Sequence, residues 1–251
     1  VRNGSKKHIE TVRAGNEKVL EARLADAKFF YEADQQEKLE AKVDQLQDII
    51  FQEDLGTLYQ KVERLVELSA AFAKELDLPA KELSAAKRAA YLAKADLVTE
   101  MVNEFSKLQG VMGREYAKLS GENDLVADAI FEHYLPRFAD DQLPESTIGQ
   151  IVSIADKIDN IVGSFGVGLI PTGSQDPYAL RRQAQGIVKI IINDELALNL
   201  ADLVENSLEL FAADNKLERD AKQVKEEVLD FFNQRLEHLF EEQGIRYDVI
   251  D

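Results

Sequence analysis

The sequence contains no cysteine. Disulfide bonds, thiolate metal sites and cysteine-based catalysis are therefore excluded for this chain. Histidine is scarce as well, with only His8, His133 and His238, which argues against the histidine-rich metal sites of hydrolases. No apolar run reaches the roughly 18 residues that a membrane-spanning helix needs, and we recognise no secretory signal, so we expect no membrane association.

Basic residues are also scarce relative to acidic ones. The 251 residues include 30 lysines and arginines against 47 aspartates and glutamates, which gives a formal net charge of −17. A surface of that sign repels phosphate backbones unless its basic residues are clustered, so composition alone argues against direct nucleic-acid binding. With 45% hydrophobic residues, the chain is long enough for one large or two modest domains with a sizeable core.

Helical periodicity, by contrast, runs through most of the chain. Apolar residues recur at helical spacing in several stretches, among them Leu20, Leu24, Ala27 and Tyr31, then Leu39, Val43, Leu46 and Ile50, and later Ile148, Val152, Ala155, Ile158 and Val162. Asn16 is a suitable N-cap for the first of these helices. The predicted fold class is therefore all-α. The opening "VRNGSKKHIE" suggests a strand end and an Asn-Gly turn, and the chain does not begin with Met, so we expect a strand remnant and a segment of a longer protein.

The stretch "GLIPTGSQDPYALRR", residues 168–182, is composed like a ligand-binding loop. It is not a P-loop, because the Gly-Lys-Ser/Thr ending is missing, and no third glycine or βαβ unit supports a dinucleotide fingerprint. Capping chemistry explains much of it: Asp176 as N-cap, Pro177 at the first helical position and Gly173 with a positive φ.

Two arginines in the same stretch leave a ligand role open. Arg181 and Arg182 lie about 100° apart on a helix, so they cannot face the same way. One could pair with a buried carboxylate, such as Asp156 or Asp159, and the other could meet a phosphate.

Asp96, His133 and Asp156 form the second candidate site, because each lies on an amphipathic helix. Aspartate and histidine are acceptable metal ligands, and three converging ligands are the minimum for a site. The alternative is structural: the two aspartates cap or pair with cations, and His133 stacks near Tyr134. The residues favour the structural alternative, and we predict no bound metal.

Four long motifs resemble the β subunits of bacterial heterotetrameric glycyl-tRNA synthetases. They are "NEKVLEARLADAKFFYEAD", "KADLVTEMVNEFSKLQGVMGREYA", "EHYLPR" and "ADKIDNIVGSFGVGLIPTGSQDPYALRR", and they follow the family's order. The resemblance implies a cytoplasmic enzyme of two α and two β subunits that joins glycine to tRNA(Gly) with ATP. In that family the α subunit binds ATP with Mg²⁺, so the resemblance implies no cofactor and no catalytic residue in this segment.

The same resemblance implies the fold of a helical HD domain, named after the His-Asp metal site of phosphohydrolases. Ala95 stands at the family's doublet histidine and Asp96 at its aspartate, Asp156 stands at the last aspartate, and His133 matches an accessory histidine. The stretch from Glu53 to Leu68 matches the first-histidine helix but contains no histidine. Because two histidine ligands are missing, we expect no hydrolysis. A phosphohydrolase with an unusual site and a purely structural helical interaction module are the alternatives.

The resemblance also divides the chain. Residues 1–15 are expected to be the end of a preceding β-containing domain or a linker, 16–215 the HD-like helical domain, and 216–251 a long helix leading toward a further domain. Candidate tRNA contacts are the basic residues Arg181, Arg182, Lys107, Arg114 and Lys189, if they converge on one face.

Overall fold

A computed structural model describes residues 8–242 and Gly244. Ten α-helices, three 3₁₀ helices and one two-stranded hairpin make up the regular structure of these described residues, which confirms the all-α prediction. The helices are α1 (Ile9–Asp34), α2 (Leu58–Glu75), α3 (Ala80–Leu92), α4 (Glu100–Glu104), α5 (Val111–Leu119), α6 (Asp124–Glu132), α7 (Thr147–Gly166), α8 (Leu180–Asn193), α9 (Leu200–Ala213) and α10 (Ala221–Glu242). None of the helices described is both long and apolar enough to cross a bilayer.

The structure confirms none of the predictions for the N-terminal segment. Residues 1–7, where the strand remnant and the Asn-Gly turn were expected, lie outside the described residues. Helix α1 already begins at Ile9, so the prediction that Asn16 caps this helix is wrong. The expected boundary between residues 15 and 16 therefore falls inside a continuous helix.

The segment after α1 differs from the predicted helix. Residues Leu39–Asp48 form a stretch of 3₁₀ helix, and strands β1 (Ile50–Gln52) and β2 (Gly56–Thr57) follow as an antiparallel hairpin. A run of β-branched and aromatic residues favours the extended backbone here, and Gly56 adopts a φ of 93° at the turn. Leu39, Val43 and Leu46 are buried as their spacing predicts, whereas Ile50 is exposed.

Helix α7 is the centre of the fold. It packs against α2, α3, α6, α8, α9 and α10, and 18 of its 20 residues are buried. The Ser146 side chain begins the helix by accepting a hydrogen bond from the Gly149 N–H. A helix that is buried on every side is usually apolar all round, yet α7 also buries Asp156, Lys157 and Asp159. These charged groups therefore need partners on the surrounding helices.

Helix α1 packs on the rest of the chain only through its C-terminal part. Ala27 and Tyr31 of the predicted stripe contact the core, and the helix packs against α4. Leu20 and Leu24 continue the same stripe but are 60% and 69% exposed. The sequence pattern thus identified an apolar stripe, but half of it has no partner among the described residues.

The other predicted boundary lies between α9 and α10. Helix α10 begins after it, at Ala221, yet it packs against α7, α8 and α9. Its residues Val224, Val228 and Phe232 are fully buried in the same hydrophobic core as α7. Helix α10 is thus an integral part of this core.

Candidate functional site

Six charged or titratable side chains meet inside the protein, around one face of α7. We call them the central charge cluster; all are at most 8% exposed, and they are Lys61, Arg64, Lys94, His133, Asp156 and Asp159. Lys61 and Arg64 lie on α2, Lys94 follows the end of α3, and His133 follows the end of α6. The packing of α2, α3 and α6 around α7 therefore brings together residues that lie up to 98 positions apart.

The ammonium group of Lys94 connects two of the predicted site residues. Its Nζ lies 2.9 Å from His133 Nε2 and 3.0 Å from Asp156 Oδ2. The same Nζ stands 4.6 Å from the centre of the Tyr134 ring, within cation–π range. A single cation is thus held by a neutral ring nitrogen, a carboxylate and an aromatic face.

The protonation state of His133 follows from its other nitrogen. Nδ1 lies 2.6 Å from the carbonyl oxygen of Ile130, which can only accept, so Nδ1 carries the proton and donates. Nε2 then has a free lone pair, which accepts from Lys94. Burial, reinforced by the neighbouring Lys94 charge, lowers the pKa of His133 well below its ordinary value, so the imidazole stays neutral.

The other half of the cluster is an ion-pair network on Asp159. Lys61 Nζ donates to Asp159 Oδ2 at 2.8 Å, and Arg64 Nε donates to Asp159 Oδ1 at 2.6 Å. Lys61 also donates to Asn160 Oδ1 and to the backbone carbonyl of Asp156. Asp156 Oδ1 lies 3.1 Å from the same ammonium but has no aligned hydrogen bond, since the three protons of Lys61 are already used.

Both aspartates of α7 have lowered pKa values. Burial by itself would raise the pKa of Asp156, but the Lys61 and Lys94 charges outweigh that effect and hold it far below its usual range. Asp159 has a lowered pKa for the same reason, with Lys61 and Arg64 as the opposing cations. Burial lowers the pKa of Lys94 despite the attraction of Asp156. Each buried anion in the cluster is thus matched by cations, as burial of charge requires.

Lys157 lies next to the cluster and has no ion-pair partner of its own among the described residues. Its Nζ donates to the carbonyl oxygens of His133 and Leu135 and to Ser153 Oγ. Burial lowers the pKa of Lys157 to about 7. The lysine therefore holds the chain that follows α6 against α7.

Asp96 does not join the other two predicted site residues. Its Oδ2 accepts the backbone N–H of Gly110 at 2.5 Å, and its Oδ1 has no hydrogen-bond partner among the described residues. Burial raises the pKa of Asp96 to about 6, although the Gly110 N–H partly opposes this. Gly113 packs directly beside the carboxylate, because a Cβ there would lie 3.0 Å from Oδ2. Asp96 thus anchors the loop that leads into α5.

These donors do not fit a divalent cation. His133 and Asp156 converge, but on the Lys94 ammonium, which lies where a metal ion would have to bind both of them. Among residues 8–242 and Gly244, no group of three or more histidines and carboxylates is arranged to hold a metal. Lys94 is not among the site residues predicted from the sequence. Its position as a lone lysine in the alanine-rich run "AAYLAKAD" is nevertheless a sequence signal of a buried charge.

The predicted ion pair between one of the two α8 arginines and a carboxylate of α7 is wrong. Neither Arg181 nor Arg182 pairs with Asp156 or Asp159, because cations of α2 and Lys94 already occupy both carboxylates. Arg182 is exposed, whereas Arg181 is half-buried and lines a cleft.

The loop before α8 is only partly as predicted. Asp176 is not the N-cap residue, which is Ala179, but its carboxylate accepts the backbone N–H groups of Leu180 and Arg181 at 2.8 and 3.0 Å. Gly173 has the predicted positive φ, at 50°. The helix begins at Leu180, however, so Pro177 lies in the preceding turn instead of at the first helical position.

The other predicted tRNA contacts lie elsewhere on the surface. Lys107 is exposed. The Arg114 guanidinium stands 4.8 Å from the ring centre of Phe131 and 4.0 Å from Asp128. Lys189 donates to the carbonyl oxygen of Ala139 at 3.1 Å, and it lies eight residues, about 12 Å, along α8 from Arg181.

A family model and several known proteins match this chain over its whole length. A family model described as "Glycyl-tRNA synthetase beta subunit" matches residues 1–251. The chain is 53% identical over 251 residues to the glycine–tRNA ligase beta subunit of Clostridioides difficile, 53% to that of Halothermothrix orenii and 51% to that of Moorella thermoacetica. In each case the match covers 100% of this chain and 36% of the relative, so the chain spans about a third of the relatives' length.

Proposed function

We infer the function from one premise: this chain belongs to the glycyl-tRNA synthetase beta subunit family. We propose that it is the middle part of such a subunit and that the complete enzyme ligates glycine to tRNA(Gly) with ATP in the cytoplasm. The enzyme would be a heterotetramer of two α and two β subunits. ATP and Mg²⁺ would bind to the α subunit, and this segment would contribute no catalytic residue.

Within that enzyme, the segment is proposed to be a degenerate HD-like domain that positions tRNA and supports the assembly without hydrolysing anything. The Lys94 ammonium between His133 and Asp156 is the observation that carries this proposal. A metal-dependent phosphohydrolase needs a cation and a water molecule at that position, with an open coordination site. Here a covalently attached cation fills the position, and His133 is completely buried.

The hydrolytic alternative has a direct test. The purified chain, incubated with Mn²⁺ and a generic phosphomonoester, is expected to release no phosphate above the level without metal. Metal analysis of the same sample is expected to find no stoichiometric Mn²⁺. Manganese-dependent turnover, or one bound ion per chain, would contradict the proposal.

Contact with tRNA is proposed to use the basic candidates Arg181, Arg182, Lys107, Arg114 and Lys189. Because the chain carries a net charge of −17, these side chains would have to approach the RNA while the acidic faces point away from it. Binding of this kind releases counterions, so affinity must fall steeply as salt rises.

The experiment is filter binding of tRNA(Gly) to the purified chain at several salt concentrations. A triple variant with Arg114, Arg182 and Lys189 changed to Glu is expected to lose at least tenfold in affinity and to show a shallower salt dependence. The matched control is Lys87→Glu, which changes an exposed lysine of α3 that has no ion pair among the described residues. Absence of binding by the unmodified chain, or equal affinity for both variants, refutes the tRNA role.

One observation favours a second candidate, a helical interaction module. Helix α1 leaves Val19, Leu20, Leu24 and Phe29 between 60% and 69% exposed. Apolar residues gathered on one unpacked helix are typical of a surface that another protein covers. We propose the α subunit as that protein.

Co-purification tests this second candidate. A double variant, Leu20→Glu with Leu24→Glu, is expected to abolish retention of the α subunit. The control Leu119→Glu introduces a charge at an equally accessible leucine of α5, which is 53% exposed, and should retain it. If the unmodified chain does not retain the α subunit, the module proposal is wrong.

A further inference from the structure

A cleft separates the 168–179 loop from α10. It encloses about 370 Å³, and its walls include Phe165, Ile170, Arg181, Phe231 and Arg235. That volume is in the range of small-ligand sites, which begin near 300 Å³. Two of the lining residues, Arg181 of α8 and Arg235 of α10, therefore bring guanidinium groups to the cleft.

Neither arginine is neutralised by the described residues. Within residues 8–242 and Gly244, the Arg181 side chain has no hydrogen-bond or ion-pair partner. Arg235 is half-buried, and its Nε is fully buried without a partner in the same part of the chain. The one hydrogen bond that its side chain makes to the described residues, to Gln234 Oε1, is long at 3.4 Å. A buried guanidinium N–H without an acceptor is costly, so the geometry calls for an acceptor supplied from outside.

The acidic residues of the cleft do not supply that acceptor. Glu227 is held by both terminal nitrogens of Arg219, each at 2.8 Å, and so its charge is already balanced. Asp230 accepts from Gln234 Nε2 at 3.0 Å, is exposed, and lies within ion-pair distance of neither cleft arginine. The cleft therefore has a local excess of positive charge in a strongly acidic chain.

The adjoining helix terminus is also accounted for. Asp176 already accepts the first backbone N–H groups of α8, including that of Arg181. A ligand in the cleft would consequently be bound by the two guanidinium side chains and not by the helix end. The aromatic ring of Phe231, 5.4 Å from the Arg235 guanidinium carbon, holds that side chain in place.

We propose that this cleft is a phosphate-binding site, with Arg181 and Arg235 as its two ligands. Planar guanidinium groups match the paired oxygens of a phosphate, and two of them in one cleft can hold one such group. The phosphate could belong to an RNA backbone or to a free phosphorylated molecule. The statement that the phosphate belongs to RNA rests on the proposed tRNA role, whereas the statement that the cleft binds phosphate does not.

The first experiment titrates the purified chain with inorganic phosphate and follows the Nε–H signals of its arginines by NMR. The signals of Arg181 and Arg235 are expected to shift together with one saturation curve. Each of Arg181→Gln and Arg235→Gln is expected to weaken binding about tenfold, the loss of one charge-assisted contact. Lys87→Gln, which removes an exposed positive charge elsewhere, is expected to leave the curve unchanged.

The second experiment measures tRNA(Gly) binding by the same variants across a salt series. If the phosphate belongs to RNA, each arginine variant weakens tRNA binding and lowers the logarithmic salt slope by about 0.7–0.9. Thermal unfolding of each variant checks that the fold is kept. The conservative variant Arg235→Lys should restore part of the affinity, because it returns the charge but not the planar fork.

The outcomes separate the two proposals. Phosphate-dependent shifts at both arginines support the cleft even if the chain fails to bind tRNA, in which case only the tRNA role is wrong. If tRNA binding requires Arg114, Arg182 and Lys189 but tolerates both cleft variants, and phosphate shifts neither arginine signal, the cleft proposal is overturned and the tRNA role stands. Shifts spread over exposed arginines and lysines, without saturation at these two, also overturn it.

Discussion

Replacing Lys94 by methionine removes one ammonium group from the central charge cluster and keeps an unbranched side chain of similar length. The change deletes the contacts to His133 Nε2 at 2.9 Å and to Asp156 Oδ2 at 3.0 Å, together with the cation–π contact to Tyr134. A methionine can occupy most of the vacated space because its side chain is flexible. The measured effect therefore reports mainly the lost charge, not a cavity.

The magnitude follows from what Asp156 retains. Removing one partner of a buried ion pair typically costs about 3–5 kcal/mol, because the other charge stays buried without compensation. Asp156 still has the Lys61 ammonium 3.1 Å from its Oδ1, so we expect the lower end, about 3 kcal/mol. For a chain of this size, that loss lowers the melting temperature by about 6–12 °C.

The assay is urea unfolding followed by far-UV circular dichroism, applied to a double-mutant cycle. Lys94→Met, Asp156→Asn and the combined variant are compared with the unmodified chain. Because the combined variant removes both charges, it is expected to lose less stability than the sum of the single variants, with a coupling of about 1–3 kcal/mol. Lys222→Met is the control: its ion pair with Glu226 is exposed, and the change should cost less than about 0.5 kcal/mol.

Two results would refute this reasoning. A loss below about 1 kcal/mol for Lys94→Met would mean that the ammonium does not compensate the buried carboxylate. Strict additivity in the cycle would mean that Lys94 and Asp156 are not energetically coupled, whatever their separation.

Three further predictions concern the same core. Asp159→Ala should cost about 3–5 kcal/mol in urea unfolding, because it removes the carboxylate that two buried cations share and leaves Lys61 with Asp156 and Arg64 with the more distant Asp214. Glu17→Ala on the surface should cost under about 0.5 kcal/mol. Gly113→Ala places a Cβ 2.7 Å from a buried methyl group and should cost about 1–3 kcal/mol in the same assay, while Gly15→Ala has open space and should raise helicity measured by circular dichroism. The pKa of Asp96 is raised to about 6, so the native state binds the Asp96 proton more tightly than the unfolded chain does. The contribution of Asp96 to stability should therefore fall as pH rises from about 4 to about 6. Asp96→Asn should flatten that part of the profile of stability against pH.

The sequence by itself determined the features that depend on neighbours along the chain. Helical periodicity, read over windows of a few turns, gave the all-α class and placed Leu39, Val43 and Leu46 in the core even though their segment is 3₁₀ helix. Capping chemistry identified Asp176 and the positive φ of Gly173, because both depend on backbone groups a few residues away. The long motifs identified the family, since they extend over much of the chain.

The sequence pattern was less reliable for predicting which element, if any, packs against a given helix. Leu20 and Leu24 belong to a well-formed apolar stripe, but periodicity cannot say whether another element covers it. Periodicity also failed for the segment that ends at Ile50. Its apolar residues have helical spacing, but the residues at its end prefer a strand, and a strand forms there. The predicted helix start at Asn16 failed because a good capping residue does not prevent a helix from starting earlier.

The candidate site was decided only by the tertiary structure. Asp156 and His133 were both identified from the sequence, but their meeting point on Lys94 depends on how α3, α6 and α7 pack. Arg181 or Arg182 was a candidate partner for an aspartate of α7, but those carboxylates pair with Lys61 and Arg64 of α2 instead. A helical repeat specifies which side of a helix faces inward, whereas the partner of a buried charge is set by the register between helices far apart in the chain. That register left Arg181 without a carboxylate partner among the described residues, in a cleft that Arg235 also lines.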